Sequence, residues 1–442
     1  MSASSVIVWA ERCIQAQEDN YMKRVFMSMA VLLLSWCVIL SPGAAGEVTF
    51  PTLSYEGEEL AKVREWEKAW AGKKVATENA DQVKDFLHEA VYNALKNPGI
   101  FGAESLWFTV VPYRPYAVST GMIAATKKYA PASKLDNDGM LAGYGDVAGI
   151  PFPQPKTGLE MAWNFDGNTK GDSHQEVGRG DVVNCKQKTE RNAGLLRWEL
   201  YWGGRVDSEP LPRIPEEENE RGIARSWFQR HTAPVDFVDT TILELKYLDH
   251  TKLEDVWVYT VMFRRIRRYT ASQRTDSIDG TDMIYDDQDG WYTHVIHNTY
   301  DNKGRADLLV ARHQDAKQLQ RIKGQGFWNG VQRERVNHWV VEVQNKEKGY
   351  LYSKQIWYLD PETWQMNFKV MYNRKGELWK MYELFYDEYP NASGGKTSLF
   401  SAEHVVDFIR HHGSPTIREM KNVGAYIRPD YFQTKSLKDK SY

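Results

Sequence analysis

Nine consecutive residues limit the fold of this chain more than any other stretch. Trp364-Gln365-Met366-Asn367-Phe368-Lys369-Val370-Met371-Tyr372 alternates apolar and polar side chains. In an extended chain Trp364, Met366, Phe368, Val370 and Tyr372 share one face, and Gln365, Asn367 and Lys369 the other. Turn chemistry brackets the run: Asp360-Pro361-Glu362-Thr363 before it and Asn373-Arg374-Lys375-Gly376 after it. Residues 350–359, 364–372 and 377–387 are therefore expected to form an antiparallel meander. Residues 240–248, 256–263 and 335–343 add further strands. No helical pattern separates consecutive strands, as a parallel sheet would require. The expected class is mainly β with helices.

Upstream the pattern changes. In residues 58–70 Leu60, Val63, Trp66 and Trp70 recur at helical spacing before Gly72. A second helix is expected after Asn79, with Val83, Phe86, Leu87, Val91 and Leu95 on one face, ending at Asn97-Pro98-Gly99. Residues 101–175 are rich in Pro, Gly and Tyr. Alternate prolines in Gly149-Ile150-Pro151-Phe152-Pro153-Gln154-Pro155 favour extended chain without backbone donors, a rigid strap over the surface. The division is a helical segment at 47–100, a strap at 101–175 and a sheet domain at 176–442. Residues 209–222 and 274–290, charged and poor in apolar side chains, read as solvated loops.

Residues 1–46 carry an export pattern. Met22-Lys23-Arg24 precedes an apolar run from Val25 to Leu40, followed by Ser41-Pro42-Gly43-Ala44-Ala45-Gly46. Cleavage after Gly46 is expected, with translation starting at Met22, because Glu11, Glu18 and Asp19 do not suit a signal n-region. A retained N-terminal anchor is the alternative. Leu34-Ser35-Trp36-Cys37 resembles a lipobox, but Trp36 sits where a small residue is needed. Three basic and three acidic residues leave with the segment, so the net charge stays at −3. Cys185 then remains alone, and core packing has to hold the exported chain together. A near-neutral charge argues against nucleic-acid binding. The aromatic content is high, with 16 Trp and 24 Tyr, side chains suited to half-wet faces and clefts.

Chemistry-bearing motifs are weak. His294-x-x-His297 lacks the Glu and supporting ligands of a zinc motif, and ordinary surface histidines account for it. His411-His412, near an expected C-terminal helix, is no stronger. Asp276, Asp279, Asp282, Asp286, Asp287 and Asp289 lack the ligand spacing of a calcium loop. No nucleophile elbow, Walker or dinucleotide fingerprint is present, so no catalytic residue, metal or cofactor is assigned. Arg264, Arg265, Arg267 and Arg268 form a basic run that would contact lipid headgroups or a partner, or else lie on an outward strand paired with Asp and Glu.

Several segments together resemble the family called domain of unknown function 1329. They are the run from Gly149 to Gly158 continuing through Leu159, Glu160, Trp163 and Asn164, then Val256-Trp257-Val258-Tyr259 leading into the arginine run, and Trp339-Val340-Val341-Glu342. Tyr358-Leu359-Asp360-Pro361-Glu362-Thr363-Trp364 and Gly376-Glu377-Leu378-Trp379 complete the set. The aspartate-rich loop departs from the family pattern. The resemblance implies a LolA/LolB-like fold, a strongly curved antiparallel sheet forming an incomplete barrel, with helices over its concave face. It also implies a periplasmic location, an association with RND-type transporters of the inner membrane and contact with outer-membrane proteins. A non-enzymatic carrier or adaptor for a lipid, a lipoprotein acyl chain or a sterol- or hopanoid-like molecule is the function expected. Trp339, Val341, Trp364, Met366, Phe368 and Val370 are the candidate lining. A structural subunit of an envelope complex without an exchangeable ligand is the alternative; oligomeric state stays open.

Overall fold

The alternating runs become strands of one sheet in the computed structural model, which describes residues 49–438 except 102, 168, 185, 187, 270–272, 321–325 and 393. The export segment and Cys185 lie outside the described residues. The first strands are β1 (Lys74–Val75), β2 (Phe108–Val110), β3 (Ser173–Val183), β4 (Thr189–Tyr201), β5 (Ile223–Ala233), β6 (Thr241–Tyr247), β7 (Asp255–Thr260) and β8 (Arg265–Tyr269). They are followed by β9 (Asn298–Ala311), β10 (Val331–Asn345), β11 (Lys354–Leu359), β12 (Met366–Tyr372), β13 (Leu378–Pro390), β14 (Lys396–Asp407) and β15 (His412–Lys421). The sheet order is β1-β2-β10-β11-β12-β13-β14-β15-β3-β4-β5-β6-β7-β8, with β9 beside β10. Two meanders, β3–β8 and β9–β15, are thus joined where β15 pairs with β3. Only the β2–β10 pairing is parallel among the described strands. The sheet curves without closing, since its order ends on β1 and β8.

Helices α1 (Gly57–Trp70), α2 (Glu89–Lys96), α3 (Thr120–Tyr129) and α4 (Gly158–Asp166) pack on this sheet. The expected second helix is broken. Ala80–Phe86 is a 3-10 turn, Leu87 is extended, and His88 caps α2 by accepting at Nδ1 from the Ala90 amide at 3.1 Å. The strap also contains α3 and α4, which its proline pattern did not reveal. Its signature has a physical purpose at two glycines. Gly149 has φ +79 and a side chain there would collide with Thr126; one at Gly158 would meet the Tyr300 carbonyl oxygen at 2.6 Å. Thr157 and Glu160 close a capping box at the start of α4.

The β10–β14 half of the sheet is buried on both faces. On its first face the 3-10 turn and α2 bring Val83, Ala90, Val91, Ala94 and Leu95 onto Val336, Tyr358, Phe368, Val370, Met381 and Phe385. On its second face Phe50, Tyr116, Met122, Ile150 and Met161 cover Val341, Trp357, Leu359, Met366, Leu384 and Tyr386. The C-terminal turns place Tyr431, Phe432 and Leu437 on Phe228, Leu243 and Leu245.

Several expectations are corrected. The strand expected from Trp364 starts at Met366, and Trp364 itself sits at φ +59 in the preceding turn. Residues 256–263 end as a strand at Thr260, so Met262 and Phe263 project from a turn, 72% and 57% exposed. His412 opens β15 and His411 lies in the turn before it, where a helix was expected. His294 is fully buried, and the aspartate loop is not solvated: Asp282, Asp286, Asp287 and Asp289 are all buried.

Candidate functional site: a covered sheet face

A bulge at Asn367 decides what the candidate lining can do. Tyr358 pairs with Phe368, but Leu359 pairs with Met366, so Asn367 is an extra residue on β12. The extra residue turns Met366 and Phe368 to opposite faces. The shared face expected for Trp364, Met366, Phe368 and Val370 is therefore divided. Phe368 and Val370 lie on the first face, where the His88 ring stands 5.0 Å from that of Phe368. Val341, Trp364 and Met366 are buried on the second, with Trp339 packed against them. Trp339 stacks on Trp364 at 6.2 Å and 14°, and the Arg305 guanidinium lies 4.3 Å from the Trp339 ring centre. Lys369, expected to face away from the core, is fully buried.

Two covers close the second face, and polar contacts hold both. The strap is pinned at the β11–β12 turn. The Tyr113 hydroxyl donates to Glu362 at 2.6 Å and the Tyr116 amide to the same carboxylate at 2.7 Å. Buried Arg312 pairs with Glu362 at 2.8 Å and Asp360 at 3.1 Å. It also lies 4.1 Å from the centre of the Tyr116 ring. Further along, Asn164 brackets Phe152 by donating to its carbonyl at 2.7 Å and accepting from its amide at 2.9 Å.

The second cover is the aspartate loop, which reaches both meanders. Asp279 meets His231 of β5 at 2.7 Å, and Asp282 meets His412 of β15 at 2.7 Å. Asp286 pairs with Arg274 at 2.9 Å and accepts from the Tyr350 hydroxyl at 2.5 Å. Asp287 takes Lys369 of β12 at 2.6 Å and the Tyr352 hydroxyl at 2.7 Å. Asp289 lies among Arg197 of β4 (2.9 Å), Arg225 of β5 and Lys170 (3.2 Å). Burial pushes its carboxyl up, but Arg197, Lys170 and Arg225 hold it well below the usual range. Asp286, where burial dominates, is raised to about 6. Sequence patterning missed this loop because an acidic run reads as solvated until its partners, up to 130 positions away for Asp282 and His412, are folded around it.

Three small cavities lie in and beside these covers. One of about 40 Å³ under the strap is lined by Phe50, Tyr116, Met122, Ile150 and Ser398. One of about 30 Å³ lies among Tyr144, Trp163, Asp166, Tyr201 and Lys246. The third, about 40 Å³, lies among Glu244, Glu254, Tyr269, Tyr285 and Tyr292. Burial, then Glu254, raises the Glu244 carboxyl well above its ordinary value. These volumes admit water and are too small for a drug-sized molecule. His250, His294 and His297 cluster nearby, with ring centres of 4.5 Å and 6.1 Å for successive pairs. Burial lowers all three, His250 to about 4, so they are neutral near pH 7. Surface histidines were expected at 294 and 297; His294 is instead core. Among the described residues, no group of three His, Cys, Asp or Glu is arranged to hold a metal ion, and no helix is long and apolar enough to cross a membrane.

The arginine run is split as well. Arg268 pairs with Asp255. Arg264, Arg265 and Arg267 are exposed, and among the described residues none of the three has an ion-pair partner.

The chain is 23% identical over 337 residues to an uncharacterized protein of Pseudomonas aeruginosa, covering 71% of this chain and 69% of that one. A DUF1329 family protein from Desulfovibrio piger superposes with a TM-score of 0.46 at 14% identity, over 64% of this chain and 98% of that one. A LolA superfamily protein from Nitrosomonas europaea gives 0.38 at 11%, over 64% and 100%. Residues 74–438 match the family described as proteins of unknown function DUF1329, and the chain belongs to that family.

Proposed function

We propose that this protein is a non-enzymatic periplasmic carrier or adaptor for a hydrophobic molecule: a lipid, a lipoprotein acyl chain or a sterol- or hopanoid-like compound. The observation that carries the reading is the construction of the second sheet face. Trp339, Val341, Trp364 and Met366 form an apolar floor, and its roof is a strap and a loop that pack apolar side chains on it and are pinned by ion pairs and hydrogen bonds. Such a roof can separate from its floor without unzipping the sheet. Displacing it exposes a concave-lidded apolar site with charged groups at its edge, the composition that holds greasy ligands. Each Å² of ligand surface buried there contributes about 25 cal/mol. Delivery to or from an RND-type transporter and an outer-membrane acceptor is the cellular role we assign, after export and cleavage near Gly46. Sequencing the mature N-terminus checks the export step.

The test is organic extraction of protein purified from the cell envelope, followed by mass spectrometry, with titration of a fluorescent fatty acid or sterol probe into the emptied protein. One lipid per chain and saturable probe uptake are expected. An empty protein that takes up no probe overturns the carrier. It would favour the second reading, a structural subunit, which the tight closure supports: Trp364 and Met366 are 0% exposed, and the cavity under the strap is about 40 Å³.

A further inference from the structure

Strand direction places four turns of the β14–β8 region at one end of the sheet. Because neighbours alternate in direction, the β14–β15 turn at 408–411, the connection between the end of β3 at Val183 and the start of β4 at Thr189, the β5–β6 turn at 234–240 and the β7–β8 turn at 261–264 all face the same way. The pairing of Gly413 with Val183, Gly194 with Ala233 and Thr241 with Tyr259 sets them side by side.

That end carries most of the large exposed apolar side chains of the described sheet. Val235 is 85% exposed, Met262 72%, Phe263 57%, Ile409 54% and Val238 39%. Cations surround them: Lys186, Lys188, Arg264, Arg265, Arg267 and Arg410 are exposed, against Glu190, Asp236 and Asp239. The Arg267 guanidinium lies 5.5 Å from the Phe263 ring centre, so charge and ring are presented together. A chain of net charge −3 thus concentrates cations at one rim.

We propose that this rim docks on an anionic phospholipid bilayer, with Met262, Phe263, Val235 and Val238 entering the interfacial layer and Arg264, Arg265 and Arg267 meeting phosphates. The proposal goes beyond the carrier reading, since docking requires no internal ligand. A bilayer is favoured over a protein partner by the form of the rim. Its apolar side chains stand singly on separate turns, with cations between them. A stable protein interface needs about 800 Å² of packed, complementary surface on each partner, whereas lipid accepts scattered apolar tips flanked by Lys and Arg.

The test is flotation of the purified protein, its leader shown by sequencing to be removed, with vesicles of phosphatidylcholine alone or mixed with phosphatidylglycerol. Binding to the mixed vesicles should exceed that to phosphatidylcholine by about tenfold and fall sharply in about 0.5 M salt. Met262→Asp with Phe263→Asp should weaken binding to both. Arg265→Glu with Arg267→Glu should remove the phosphatidylglycerol preference. Leu253→Asp, 41% exposed at the opposite strand ends, should bind as the unsubstituted protein does. Unchanged melting temperatures keep the comparison valid, since the substituted side chains are mostly solvent-exposed. Absence of vesicle binding, rim variants that bind normally, or an equal loss in Leu253→Asp overturns the proposal. Retention of an acidic envelope protein by a rim that ignores vesicles would also overturn it, whatever the extracted-lipid experiment returns.

Discussion

Lys369 on β12 and Asp287 in the aspartate loop form a fully buried ion pair at 2.6 Å. The lysine also donates to the Gly290 carbonyl at 2.6 Å, and the carboxylate accepts from Tyr352 at 2.7 Å. Burial lowers the Lys369 ammonium, and Asp287 opposes that shift. The loop is therefore tied to the centre of the sheet. Lys369→Met should cost about 3–5 kcal/mol in urea unfolding, because it leaves Asp287 buried without its cation. Adding Asp287→Asn should recover part of that loss. A double mutant whose cost equals the sum of the singles would show that the two residues are not coupled.

Phe368 and Trp339 should respond in opposite ways. Phe368 lies under α2 on the first face, so Phe368→Ala should cost about 3–5 kcal/mol from lost transfer energy plus a cavity, while probe affinity is unchanged. Trp339 is half-buried above Trp364 on the second face. Trp339→Leu should weaken fluorescent fatty-acid binding several-fold at a cost of about 1 kcal/mol. Denaturant curves and probe titrations on the two variants check both halves.

Arg312 is the pin of the strap. Replacing it by Met leaves Asp360 and Glu362 buried without their guanidinium and so unsettles the Glu362 carboxylate to which Tyr113 and Tyr116 donate. We expect limited proteolysis to cut first within 112–157 in Arg312→Met, and probe uptake to become faster. Uniform unfolding with no early cut in that segment would contradict the strap as a separable cover.

Acid should destabilise the protein through buried histidines. Burial lowers His88, His250 and His338 from 6.5 to about 4. Each is neutral when folded and gains a proton on unfolding below pH 6.5, so the unfolded state binds more protons. Stability contributed by the neutral rings is present above pH 6.5 and is lost as pH falls towards 4. Melting temperature followed from pH 7 to 4 should decline across that window. His250→Phe, which keeps the packing against Tyr144 and Trp163, should flatten the decline.

Period-two alternation along residues 350–387 was enough to specify three strands and their antiparallel order, because a buried pleat exposes each face to every second residue. Helical spacing likewise located α1, because helix period is a local property of φ, ψ and side-chain spacing. The site was only partly legible. One extra residue at Asn367 moved Phe368 and Val370 away from Trp364 and Met366, and a bulge has no counterpart in a hydrophobicity pattern. The aspartates read as solvated for a related reason. A carboxylate's burial depends on which cations the fold brings to it, and Arg197, Arg225, Lys369 and His412 come from four different strands. Local periodicity determined that residues 350–387 became strands and residues 58–70 a helix. Long-range pairing, whose partners lie far apart in the chain, decided which face each residue serves and what covers it.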